Sequence, residues 1–152
     1  MQTIDSEVFR GLHNLENLYL DSNQISHLEP FTFNKLKSLV NLDLSKNKIK
    51  IIYDNTFNGL KKLKSLYLSF NQIFLIEKIA LLDLKQLENL WLESNKLKTF
   101  DTLIGKRLKS LKKICLFDNF ILDPLTVFCK FINELLPVPY IVKDEVGDIA
   151  PT

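Results

Sequence analysis

The sequence predicts an α/β solenoid, with short parallel strands stacked into one concave sheet and irregular segments returning over the convex side. Three observations carry that prediction. The pattern L-x-x-L-x-L-x-x-N occurs at Leu15 to Asn23, Leu39 to Asn47, Leu63 to Asn71 and Leu87 to Asn95, and at Leu111 to Asn119 with Ile114 replacing one leucine. The closing residues Asn23, Asn47, Asn71, Asn95 and Asn119 follow one another at 24-residue intervals. After each asparagine an apolar residue stands at +2 (Ile25, Ile49, Ile73), and another at +5 (Leu28, Ile52, Ile76). Further ones stand at +10 (Phe33, Phe57, Leu81) and +13 (Leu36, Leu60, Leu84). A fixed period of this size marks a stacked repeat.

The elements follow in order. Ile4, Phe9 and Leu12 match the spacing of Leu28, Phe33 and Leu36, so the first residues read as a partial repeat without a polar cap. A stack needs its ends covered, because a bare end exposes core. Self-association through this end, at Phe9 and Leu12, is therefore an expectation. In each L-x-L triplet the leucines point to one side of a strand and the middle residue to the other. One unit cannot bury that face alone, but stacked units can. The asparagine sits where the chain leaves the strand, and its amide both donates and accepts within the turn. The five asparagines are expected to form a structural ladder.

The fourth unit departs from the pattern, because Gly105 occupies its +10 site, with Leu103 and Ile104 as the candidate replacements. After Ile121, Asp123-Pro124 suits a helix N-cap and first helical position. Leu125, Phe128, Ile132 and Leu135 then fall at helical spacing, and Pro137 and Pro139 stop the helix. The expected organisation is repeats over 1–121, a helical cap over 122–142 and a polar tail over 143–152.

Composition excludes several classes. The 46% apolar and 25% charged content is that of an ordinary globular protein. A net charge of +2 gives no reason to expect nucleic acid as partner. No run approaches the 18 apolar residues of a membrane span, and the first residues lack the regions of a signal peptide. Cysteines number 2, too few for a disulfide framework, and no N-x-S/T sequon occurs. His13 and His27 lack metal-ligand spacing to another His or Cys, and no Ser or Cys sits in a nucleophile motif. No catalytic residue, metal site or cofactor is expected.

The pattern LxxLxLxxNxIxxLxxxxFxxL, read over residues 4–121, resembles that of leucine-rich repeat proteins. A 24-residue unit with Phe at +10 is similar to the class common in secreted proteins and receptor ectodomains. The segment from Phe128 to Pro137 is similar instead to the helix-then-Leu-Pro cap of intracellular members. The two resemblances imply opposite compartments. The family resemblance implies a horseshoe that binds proteins on its concave sheet. It leaves open an intracellular adaptor or regulatory subunit, or a structural segment of a larger receptor or matrix solenoid.

The concave face can be listed from strand alternation. Its central column is Tyr19, Asp43, Tyr67, Trp91 and Cys115; Asn89 and Lys113 flank it on one side, and Asp21, Glu93 and Phe117 on the other. Aromatics flanked by short polar groups match the composition of binding hot spots. The expected ligand is a protein whose surface is aromatic-compatible and partly basic, held by Tyr19, Asp21, Asp43, Tyr67, Asn89, Trp91, Glu93, Lys113 and Phe117. Cys115 is expected to face solvent there. The lysines at 35, 37, 61, 62, 64, 106 and 109 read as a solvated rim where each strand is entered.

Overall fold

A computed structural model describes residues 3–101 and 107–121. Five three-residue strands, β1 (Asn17–Tyr19), β2 (Asn41–Asp43), β4 (Ser65–Tyr67), β6 (Asn89–Trp91) and β7 (Lys113–Cys115), form one parallel sheet in the order β1-β2-β4-β6-β7. The register places equivalent residues side by side: Leu18, Leu42, Leu66, Leu90 and Ile114 make one row. The fold is the predicted solenoid of parallel strands.

The core lies behind this sheet. Leu39, Leu42, Leu44, Leu63, Leu66, Leu68, Leu87, Leu90 and Leu92 are buried against the apolar residues of the return segments. Phe33 and Phe57 stack with centroids 6.1 Å apart and planes at 11°, and Phe9 continues the row at 5.7 Å from Phe33. This position thus builds a column of rings through the first units, which ends where Leu81 takes its place in the third. At the first turn Leu15, Leu18 and Leu20 are only partly buried, since one side of each lacks a neighbouring repeat.

Two features differ from expectation. The return segments are not wholly irregular: β3 (Ile51–Ile52) and β5 (Leu75–Ile76) pair in parallel as a second small sheet. β-branched residues at equivalent positions of adjacent units favour that pairing. Residues 6–9 form a 3-10 turn whose first residues are capped by Asp5, its carboxylate accepting from Glu7 N–H at 2.9 Å. This turn buries Phe9 and leaves Val8 and Leu12 exposed. Of the two residues expected at an open end, only Leu12 is available. Leu103, Ile104, Gly105, the cap (with the second cysteine, Cys129) and the tail lie outside the described residues.

Candidate recognition face

Strand alternation decides which side chains reach the concave surface, and the leucine row behind them fixes the backbone. The turn leaving each strand is set by a residue in the left-handed region, with φ of 53–56° at Ser22, Lys46, Phe70, Ser94 and Asp118. The asparagine that follows ties adjacent turns together. Asn71 Oδ1 accepts from Ile49 N–H at 3.1 Å, while Nδ2 donates to the carbonyls of Leu44 and Leu68, each at 3.0 Å. Asn47, Asn95 and Asn119 make the same set of bonds. Asn23 is exposed and donates within its own turn, to Leu20 and Asp21.

On this scaffold Tyr67 and Trp91 lie parallel and offset, their planes 3° apart and centroids 6.1 Å apart. The in-register pairing of Tyr67 with Trp91 produces that geometry directly. Tyr19, two strands away, is 66% exposed. Asp43 lies between them in the column, its Oδ1 accepting from both the backbone N–H and the hydroxyl of Ser45, at 2.8 and 2.7 Å. Trp91 Nε1 and Glu93 Oε2 are buried without a hydrogen-bond partner among the described residues. A donor and an acceptor thus stand unused beside the ring stack.

The neighbouring columns are held polar group to polar group. Asn41 Nδ2 donates to Asn17 Oδ1 at 2.7 Å, and Asn89 Nδ2 to Ser65 Oγ at 3.2 Å. Asp21, Lys113 and Phe117 are exposed. At the entry margin Lys112 Nζ donates to Glu88 Oε2 at 2.6 Å, and Lys64 Nζ lies 4.0 Å from Oε1. The hydrogen bond from Lys112, with the charges of Lys112 and Lys64, holds the Glu88 carboxyl below its ordinary pKa.

Cys115 departs from expectation. It is only 2% exposed, although it occupies the central concave column. It stands in register with Trp91 on the neighbouring strand. The histidines lie outside the strands; His27 sits 3.0 Å from Glu29 and meets Tyr53 edge-on at 5.3 Å. A cleft of about 520 Å³ lies away from the concave face, between the return segments around Asp54, Phe74, Glu77 and Phe100.

The sequence reading passed over the rim where strands are left. Positions flanking the ladder asparagines there carry Lys46, Lys48, Lys50, Lys96 and Lys98, with Phe70, Phe74 and Phe120, all exposed. These positions keep the same 24-residue register but lie outside the L-x-L triplets.

The model of the leucine-rich repeat family matches residues 13–73. These are leucine-rich repeats. No curated protein matches the chain. Among solved leucine-rich repeat structures, TLR13 in the TLR13–ssRNA13 complex is 32% identical, with a TM-score of 0.75 over 79% of this chain and 17% of that one. The leucine-rich repeat domain of APL1B is 28% identical, with a TM-score of 0.72 over 78% of this chain and 35% of its own. The LRIM1/APL1C complex gives 28%, 0.71, 78% and 22% for the same quantities. The chain therefore spans well under half the length of each of these leucine-rich repeat proteins. One of those structures contains RNA and another is a complex of two proteins, so the likenesses give no support to excluding nucleic acid as a partner.

Proposed function

We propose that the concave sheet of these leucine-rich repeats is a protein-recognition surface centred on Tyr67 and Trp91. The observation that carries this reading is the parallel ring stack with an unused indole N–H and carboxylate oxygen beside it. The repeat core is complete without those rings, because the leucine rows behind the sheet bury the apolar surface. Partly exposed aromatic anchors are what a partner segment can cover. Asp21, Asp43 and Glu93 outnumber Lys113 among the proposed contact residues, so the reading takes a partner surface that is partly basic. Tyr19, Asn89 and Phe117 extend the contact along and across the strands.

The test is affinity capture with wild type and with a Tyr19→Ala/Tyr67→Ala/Trp91→Ala variant that still melts cooperatively. A protein retained by wild type and lost by the variant supports the reading. A second reading, a structural segment within a larger solenoid, is favoured by the partly buried Leu15, Leu18 and Leu20 and the exposed Leu12 at the first turn. Equal capture by both forms would make that reading the better one.

A further inference from the structure

Both rims of the sheet carry lysines. At the entry rim Lys35 pairs with Glu7, and Lys64 and Lys112 with Glu88, while Lys37, Lys61, Lys62 and Lys109 make no ion pair among the described residues. At the exit rim Lys46, Lys48, Lys50, Lys96 and Lys98 make no ion pair among the described residues. The residues immediately before each ladder asparagine, and those at +1 and +3 after it, include five lysines and one carboxylate, Asp118. A net charge of +2 for the whole chain conceals this local excess.

Aromatic rings stand between the cations. Phe70, Phe74 and Phe120 are 52%, 50% and 59% exposed, in a protein that buries Phe33 and Phe57 completely. Along the stack the rim reads lysines in the second repeat, Phe70 and Phe74 in the third, lysines in the fourth and Phe120 in the fifth. Backbone bonds hold these positions in line: Phe70 N–H donates to Glu93, Gln72 to Ile49, Phe74 to Lys50, Lys96 to Ile73 and Phe120 to Leu97. Adjacent rows are therefore about 5 Å apart, the spacing of paired strands. Phe70 holds φ of 55°, a region bulky residues avoid, so its exposed ring is maintained on a strained backbone.

We propose that this exit rim binds single-stranded nucleic acid. Unpaired lysines along a line attract a polyanion, and exposed phenyl faces stack on bases. Unpaired bases are required, because a duplex keeps its base faces covered. The alternation of cations and rings along one line fits an occupant whose charges and flat groups alternate along its length. A membrane-inserting patch would gather its rings into a single cluster. The cleft beyond Phe74 is lined by Asp54, Glu77 and Asp101 together with Lys78, and Asp101 is paired with Arg107. This site is separate from the concave face and does not depend on it.

The test uses the full chain and an end-labelled single-stranded RNA of about a dozen nucleotides. Binding is followed by anisotropy between about 50 and 200 mM salt, beside the matching duplex and phosphatidylserine vesicles. Wild type is expected to prefer the single strand, with log affinity falling against log salt at a slope of up to about −3.5 for five lysines. Lys46→Gln/Lys48→Gln/Lys96→Gln should flatten the slope by about 2. Phe70→Asn/Phe74→Ser should weaken single-strand binding tenfold or more and leave the slope unchanged. These residues are exposed, and thermal melts establish that the variants fold. Equal binding of the duplex, or full binding by the phenylalanine variant, would overturn the proposal. So would binding to vesicles alone, or to nothing. Tyr67→Ala/Trp91→Ala should bind the oligonucleotide as wild type does; its loss there would move the strand to the concave face and defeat the rim assignment.

Discussion

The side-chain amide of Asn71 donates to the carbonyl of Leu44, 27 residues earlier, at 3.0 Å, and so joins one repeat to the one before it. The same side chain accepts from Ile49 and donates within its own turn to Leu68 and Ser69. Removing it strands backbone groups of two repeats in the interior. Asn71→Ala is expected to lower stability by about 1–3 kcal/mol, the cost of buried groups left unsatisfied. Asn23→Ala, at an exposed turn, should cost no more than about 0.5 kcal/mol. Urea denaturation of the two variants compares them; equal midpoints would refute the distinction.

The ring column makes a second prediction. Phe57 is completely buried and stacked on Phe33. Phe57→Ala should cost about 3–5 kcal/mol by leaving a cavity between repeats. Because neighbouring repeats support each other, hydrogen exchange should accelerate first at Leu36, Leu60 and Leu63, beside the cavity. Uniform acceleration across the stack would show instead that the repeats unfold as one unit.

Glu88 gives a pH dependence. Its pKa is lowered in the folded protein by the hydrogen bond to Lys112 and by the charges of Lys112 and Lys64. A depressed carboxylate stabilises the folded state above its unfolded pKa, near 4.5, and that contribution is lost as pH falls through the folded value. Glu88→Gln should therefore lower stability at neutral pH and flatten the acid side of the profile. Parallel profiles for the two proteins would contradict the linkage.

Trp91 is the chain's single tryptophan, so its fluorescence reports on the concave face alone. A ligand docked on the Tyr67–Trp91 stack should shift its emission and change its access to acrylamide. An oligonucleotide on the exit rim should leave both unchanged. This separates the two surfaces without any substitution.

Cys115 should react slowly with a thiol reagent in the native protein, because it is buried beside Trp91. Peptide mapping of the labelled chain resolves its rate from that of Cys129. Labelling of Cys115 at the rate of an unfolded thiol would contradict its burial.

The fold was legible because the 24-residue register imposes the same strand, turn and return on each unit. Leucines at fixed positions name the inner face, and alternation names the outer one. What alternation cannot supply is burial by neighbours: Cys115 occupies an outward position yet is almost fully buried. Nor does apolar periodicity register the exit rim, whose lysines and phenylalanines lie between the core positions and share no chemistry with them. The pairing of β3 with β5 was missed for a related reason, since two residues show no alternation to read.

The register between strands has one more effect. Excising residues 48–71 would join Asn47 to Gln72 and bring Asn95 to the position from which Asn71 reaches Leu44. Leu90 would then align with Leu42, as Leu66 does now. The strand and ladder bonds across the junction would find equivalent partners, whereas the bonds of Asp54 to Glu77 and Ile79 would not, because Pro30 would stand in its place. A gene encoding such a chain can gain or lose whole periods by unequal recombination and yield a folded product each time. Length is then a heritable variable, altered in single steps, that selection can adjust to the reach of a ligand.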